Sequence, residues 1–343
     1  MHSSERASLS YDIVGCGAVV EIYHHAPVIN VLRDQCGLTI AGCYDPDKDQ
    51  ARRVALQVGA ERHGPRAQPR RGDGVNGALL TTPPNLHAQI AGEYVDAGKG
   101  VFVEKPLTGA SSDARQLVER SAQTGARVLV NQTWRFFPSV NIARAWLHGR
   151  LDEVHSIEAT EGNRLDWPLT SNYIVEDPYG GVIHDTGAHL VDMVLYLLRL
   201  DEVAIGASAE VGEVAKTPAR EPSHECRVSL VLHDGADRSV PVELMLSRLR
   251  PLARAVKVRG SFGTLVVPTA FARAPILFNG AQAFKIRAAE LAPEPFDFRG
   301  CFLLAHRDFV TALTEPDRPT KLDAQRFLLL MEILSLLRGW DEP

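Results

Sequence analysis

This chain of 343 residues is defined first by its shortages. No apolar run reaches the ~18 residues needed to cross a bilayer, so a transmembrane helix is not expected. Its five cysteines, Cys16, Cys36, Cys43, Cys226 and Cys301, are scattered without a CxxC pair. That argues against a cysteine zinc site and a disulfide framework, and fits reduced thiols. Positive charge is not in surplus. The net charge of −5 argues against a general nucleic-acid or acidic-membrane binder. No internal repeat is present. The opening MHSSERASLSYDIVGCG lacks the charged-then-apolar layout of a signal peptide, and a cytoplasmic location is the expectation. Apolar residues are plentiful at 45%, ample for a core. The length suits one large domain or, better, two domains.

The first third alternates strand and helix patterns. Strands are expected at Tyr11–Val14, Leu38–Tyr44, Ala78–Thr81, Val101–Glu104 and Val128–Val130. Helices are expected at Val19–Gln35, kinked or interrupted by Pro27, and at Lys48–Val58, Leu86–Ala97 and Ser111–Thr124. Such alternation predicts a parallel, doubly wound sheet over residues 1–131. Glu61–Gly74 is basic and rich in Pro and Gly. It reads as a solvated loop or, alternatively, as a cationic rim over a phosphate-bearing substrate.

Residues 132–343 read differently. Helices are expected at Ser139–Leu147, Asp185–Leu198, Arg307–Leu313 and Ala324–Leu337. Strands are expected at Val154–Thr160, Ala204–Val211, Cys226–Leu232, Val240–Leu246, Ala255–Val258 and Thr264–Val267. Successive strands without intervening helices predict an α+β domain with an open, largely antiparallel sheet. One apolar face of that sheet is expected to stay uncovered by the last helices, which points to a homodimer or homotetramer through it.

Gly15-Cys16-Gly17 follows a strand and opens a helix. There glycines let backbone approach a pyrophosphate, and the helix N-terminus attracts its charge. Asp45, at the end of the next strand, is placed to bond the adenine-ribose hydroxyls, and the alternative is a helix-starting turn. The fingerprint departs twice. Its third position is Val20, and Asp45 lies further from Gly17 than the usual ~20 residues. An acid at position 45 repels a 2′-phosphate, which favours NAD, while Lys48 and Arg52 leave NADP open.

Glu104-Lys105-Pro106 ends a strand, at the edge where ligands of open parallel sheets bind. Lys105 points at a substrate oxygen or is a surface lysine paired with Glu104. In Gly180-Gly181-Val-Ile-His184-Asp185-Thr-Gly187-Ala-His189-Leu-Val-Asp192, a helix would place Asp185 and His189 on one face, with Asp192 nearby. Polar groups among such apolar neighbours need partners or a task. The alternatives are a satisfied core histidine and a metal site. With one nitrogen ligand and no cysteine, zinc is disfavoured and no metal is assigned.

These segments, with Tyr44-Asp45-Pro46-Asp47 and Thr81-Thr82-Pro83-Pro84-Asn85-Leu86-His87, resemble the glucose–fructose oxidoreductase/inositol dehydrogenase/MocA family. The resemblance spans most of the first 200 residues. His306-Arg-Asp-Phe309 and the final helix are similar to the family's end. It implies an N-terminal Rossmann domain, with Gly15, Gly17, Ala18, Val19 and Asp45 on the dinucleotide. It implies that Thr82, Pro83, Asn85, His87, Glu104 and Gln132 lie near the nicotinamide half. It implies that Lys105, Asp185 and His189 are catalytic and bind substrate, with Arg135 also near the substrate. Arg164, Trp167 and Tyr173 are further candidates for the substrate pocket, Trp167 foremost.

The expected chemistry is an NAD(P)-dependent oxidation or reduction at a hydroxyl or carbonyl carbon. The resemblance implies a sugar, cyclitol or nucleotide-linked sugar as substrate. His189 would be the base, Asp185 would orient it or bind a neighbouring hydroxyl, and Lys105 would hold the reacting oxygen. Two rivals stand beside it: a cofactor-retaining epimerase or eliminase, and a dinucleotide-binding sensor without turnover.

Overall fold

A computed structural model describes residues 9–20, 25–164, 181–202, 207–216, 224–235, 238–269, 275–284 and 298–339. The chain divides into two compact units. Unit 1 takes Met1–Leu107, Gln116–Asn131 and Phe302–Asp323, and unit 2 takes Thr108–Arg115, Gln132–Cys301 and Ala324–Pro343. The return of Phe302–Asp323 to unit 1 departs from a simple division at 131/132. Packing explains it. Phe309 is fully buried and stacks on Phe102 at 5.3 Å. The Tyr11 hydroxyl bonds His306 Nδ1 at 3.1 Å.

The sheet of unit 1 contains β1 (Ser10–Val14), β2 (Thr39–Tyr44), β3 (Arg62–Gly64), β4 (Gly77–Leu80), β5 (Gly100–Glu104) and β6 (Val128–Asn131). All pairs are parallel, in the order β3-β2-β1-β4-β5-β6. β4 and β6 are buried at every position, as expected of a sheet covered on both faces. The helices are α1 (His25–Cys36), α2 (Lys48–Val58), α3 (Pro84–Asp96) and α4 (Ser111–Thr124). Pro27 stands near the start of α1, where its missing N–H breaks no helical bond. The Asp47 side chain caps α2 by accepting from the Asp49 and Gln50 N–H groups.

Glu61–Gly74 is not all loop. Its residues Arg62–Gly64 pair with Gly42–Tyr44 as the edge strand. Two of the segment's arginines and its aspartate have partners. Arg66 pairs with Glu93 at 2.8 Å, and Arg71 donates to the Asp96 carbonyl at 3.1 Å. Lys99, almost wholly buried, holds Asp73 and the Val75 carbonyl.

Unit 2 is built on β7 (Val154–Gly162), β8 (Ser208–Lys216), β9 (Glu225–His233), β10 (Ser239–Ser247), β11 (Ala255–Gly260), β12 (Gly263–Pro268), β13 (Ile276–Phe278) and β14 (Ala281–Phe284). The order is β14-β13-β12-β11-β7-β10-β9-β8, antiparallel except where β7 meets β10. Burial alternates along the strands, the sign of a sheet with one packed face. Val228, Leu230, Val242, Leu244, Val256 and Val258 turn inward. α5 (Pro138–Leu147) lies on β12, α6 (Ala188–Leu197) on β7 and α8 (Leu328–Gly339) on β8. The remaining helix, α7 (Phe298–Thr314), passes from unit 2 to unit 1 along its length.

The opposite face of the sheet mixes charged groups with the half-buried apolar Val231, Met245 and Val266. Glu158 pairs with Arg259 at 2.6 Å, and Glu243 bonds Ser229 at 2.5 Å and Arg227 at 3.2 Å. Helices of the same unit cover the apolar side. The short strands β13 and β14 were not foreseen.

Candidate active site

The turn after β1 is shaped by close packing. Gly15 adopts φ +90°, and a Cβ there would lie 2.7 Å from the Thr81 carbonyl carbon. Only glycine fits this approach of the two loops. The Gly15 N–H donates to the Tyr44 carbonyl at 2.8 Å, and Gly17 accepts from the Val20 N–H at 3.0 Å. Ala18 is buried and Val19 is half-buried. Asp45, half-buried at the end of β2, accepts from the N–H groups of Cys16 and Asp47 at 2.8 and 2.9 Å. Those two bonds fill part of a carboxylate that offers about four acceptor positions. The Thr82 hydroxyl is buried and has no hydrogen-bond partner among the described residues. A glycine turn, an oriented carboxylate and an orphan hydroxyl on neighbouring loops fit the groups of a dinucleotide.

Pro83 stands at the cap position of α3, followed by exposed Asn85. His87 is fully buried. Its Nδ1 faces the Pro106 carbonyl at 3.0 Å and its Nε2 the Thr82 carbonyl at 2.7 Å. It therefore ties the loop after β4 to the loop after β5. Burial pushes its pKa down, against the pull of the two carbonyls. The Glu104 carboxylate accepts from the Asn131 amide at 2.6 Å and from the Lys105 N–H at 3.2 Å. Lys105 follows half-buried, at a cis bond to Pro106.

In unit 2 the key segment is a π-helical turn, Ile183–Gly187, running into α6. Asp185 forms an ion pair with Arg248, which follows β10 and is itself buried. The orienting bond on His189 comes from Gln132, whose side-chain oxygen faces His189 Nδ1. Sequence reasoning gave Asp185 either that role or the binding of a neighbouring hydroxyl. The Gln132 nitrogen donates to the Ala188 carbonyl at 3.2 Å. Gln132, expected beside the nicotinamide, is fully buried against α6. Trp134 lies flat on the His189 ring, with centroids 4.9 Å apart and planes 11° apart. Gln132 and Trp134 both belong to the turn that includes the 3-10 helix Thr133–Phe136.

Arg135 also departs from expectation. Its guanidinium is 1% exposed and bonds Asp192 through Nε and a terminal nitrogen, at 2.9 and 2.6 Å. A second terminal nitrogen reaches Asp201 at 3.2 Å. Burial opposes its charge, but these carboxylates outweigh that and push its pKa up. Burial pushes the Asp192 carboxyl up, with Arg135 opposing. Arg135 is thus a buried counter-ion, positioned to pin the turn onto α6, and gives no surface to a substrate.

Arg164 is described, with its N–H on the Asn163 side chain at 3.0 Å. Trp167, Tyr173 and Gly180 lie outside the described residues. Sequence reasoning missed Arg248 and gave Trp134 no task. Their separations from Asp185 and His189 along the chain carry no periodic signal. Among the described residues no cluster of three His, Cys, Asp or Glu groups could hold a metal, and no helix is long and apolar enough to cross a membrane.

Known proteins fit this picture. The chain is 28% identical to Inositol 2-dehydrogenase of Rhizobium meliloti (strain 1021), over 40% of this chain and 41% of that protein. It is 24% identical to scyllo-inositol 2-dehydrogenase (NAD(+)) of Bacillus subtilis (strain 168), over 72% of this chain and 70% of that protein. Several curated relatives are matched over half of their length or less. The fold is shared with the WlbA dehydrogenase from Bordetella pertussis, solved in complex with NADH and UDP-GlcNAcA. That match has a TM-score of 0.75 and 18% identity, and covers 98% of this chain and 97% of that one. Residues 9–132 match the GFO_IDH_MocA family, described as an oxidoreductase family with an NAD-binding Rossmann fold. Over those residues the chain is similar to the GFO_IDH_MocA oxidoreductase family.

Proposed function

We propose that the chain is an NAD-dependent oxidoreductase acting on a hydroxyl or carbonyl carbon of a sugar, cyclitol or nucleotide-linked sugar. The observation that carries this reading is the harness on His189: an amide on Nδ1 and an indole on its face. A core histidine needs satisfied nitrogens. A base needs in addition one fixed tautomer and a surface that tolerates its charged form.

When bound, NAD supplies the hydride acceptor. Gly15, Gly17, Ala18 and Val19 would hold its pyrophosphate, and Asp45 the adenine ribose. Thr82, Pro83 and Asn85 would border the nicotinamide half. His189 takes the proton from the substrate hydroxyl. Lys105 holds the reacting oxygen and stabilises the negative charge that develops on it. Asp185, kept beside Arg248, orients a neighbouring hydroxyl.

A panel of sugars, cyclitols and nucleotide sugars, followed by NADH absorbance, identifies a working substrate. With it, Lys105→Met and His189→Ala should each lower turnover by roughly 10²–10⁴-fold. NAD affinity and melting temperature should stay near those of the unmodified protein. Mutants that keep full turnover, or that fail only by unfolding, remove these residues from the mechanism.

A further inference from the structure

The geometry points to Gln132 as the positioning residue that fixes the proton of His189 on Nδ1 and makes Nε2 the proton-accepting atom. The inference rests on the reading of His189 as the base and says how that base is prepared.

Gln132 is fully buried, so its amide cannot turn to water. Its nitrogen lies 3.2 Å from the Ala188 carbonyl. A carbonyl only accepts, so the amide nitrogen must face it, and the side-chain oxygen must face His189 Nδ1. That oxygen also only accepts. His189 Nδ1 therefore donates whether the ring is neutral or charged. In the neutral ring the lone pair is left on Nε2. The other tautomer would set two acceptors face to face in a buried place, which costs more than losing a hydrogen bond.

The same contacts favour proton uptake. The Nδ1–H bond to Gln132 becomes charge-assisted once the ring is an imidazolium. Trp134, stacked at 4.9 Å, offers the π-face on which a cation is stabilised. The turn is held at both ends. Gln132 bonds α6 at Ala188, and Arg135 grips Asp192, three residues beyond His189.

The charged neighbours are balanced by their own partners. On the π turn, Asp185 is paired with Arg248 after β10. Asp192 and Asp201 are paired with Arg135, and Asp201 also with Arg144 of α5 and with Arg326. On α8, Glu332 is paired with Arg115. His184, buried, shares the π turn. Gln132 is a neutral group in direct contact with the ring, so its replacement should register in the ring's titration.

The test uses full-length protein carrying ¹⁵N in its histidine rings, with His189→Asn to assign the signal. In the unmodified protein, NMR above the titration midpoint should show a single Nδ1–H tautomer. Gln132→Leu should mix the tautomers and lower the midpoint. Gln132→Glu should raise the midpoint by about one unit or more. It should carry the acid limb of kcat up with it, leaving NAD affinity unchanged. Gln132→Glu is near-isosteric and supplies the same readouts if the leucine variant fails to fold. Unchanged tautomer and midpoint in these variants overturn the inference, whatever His189→Ala does to turnover. A midpoint that moves while the acid limb of kcat stays fixed overturns instead the reading of His189 as the base.

Discussion

The strands of unit 1 are buried on both faces, whereas those of unit 2 alternate between a helix-covered face and a mixed, partly charged one. The difference decides where each unit keeps its polar groups. In unit 1 the polar groups of the candidate site stand at or just past the strand ends and in the first turn of α3: Asp45, Thr82, His87 and Glu104. In unit 2 a buried ion cluster joins Arg135, Arg144, Arg326, Asp192 and Asp201 beneath the candidate base. Hydrogen bonds to backbone and to a neutral amide set the positions of Asp45, His87 and Glu104 in the first group. Matched charge sets those of the second.

The largest expected effect lies in that cluster. Asp192→Ala leaves Arg135 buried with one carboxylate fewer and should cost about 3–5 kcal/mol of stability, read from urea unfolding. A loss below about 1 kcal/mol would mean that unit 2 does not lean on this pair, and the contrast with unit 1 would fail. Next comes a matched pair of apolar truncations. Leu79 is fully buried in β4, and Leu79→Ala should cost about 2–5 kcal/mol. Val231→Ala, on the outer side of β9, should cost less than about 1 kcal/mol. Equal losses would show that the outer face of the unit 2 sheet is packed after all.

The smallest effect is one of pH. Burial lowers the pKa of His87 in the folded chain, so the unfolded chain binds its proton more readily. The stability contributed by the neutral ring is complete above the unfolded value of about 6.5 and is lost as pH falls below it. The slope of stability with pH below neutrality should therefore flatten in His87→Asn. An unaltered slope would mean that His87 does not titrate on unfolding as its burial requires.

Much of this architecture is legible in the sequence. Lys48–Val58 and Ser111–Thr124 are read with the bounds the structure gives, the first of them framed by the Asp47 and Gly59 caps. The strands β7 to β12 of the second half are visible as apolar runs, whereas the short β13 and β14 are not. The edge strand Arg62–Gly64 is not visible either, since three residues with one paired side carry too little apolar pattern. At the candidate site, Lys105, Asp185 and His189 stand out by type and spacing. The groups that hold two of them do not. Gln132 and Trp134 precede His189 by more than fifty residues, and Arg248 follows Asp185 by sixty-three. The family resemblance, not a signal in the residues, implied a substrate role for Arg135. Its counter-ions, Asp192 and Asp201, are distant in sequence.

The return of Phe302–Asp323 to unit 1 has a meaning for the order in which the protein can be made. The Val130 N–H is satisfied by the Leu322 carbonyl at 2.9 Å, and Leu129 bridges Asp323. The nucleotide-binding sheet is thus finished by residues that leave the ribosome near the end of synthesis. Nearly two hundred residues separate Asn131 from Asp323. At 5–20 residues per second the β6 edge waits about 10–40 s for its partner. During that interval the nascent chain presents an open strand, and Phe102 lacks the ring that will cover it. A fragment ending at Asn131 would stay in that state permanently, so the Rossmann unit of this chain is contiguous in space but not in the gene.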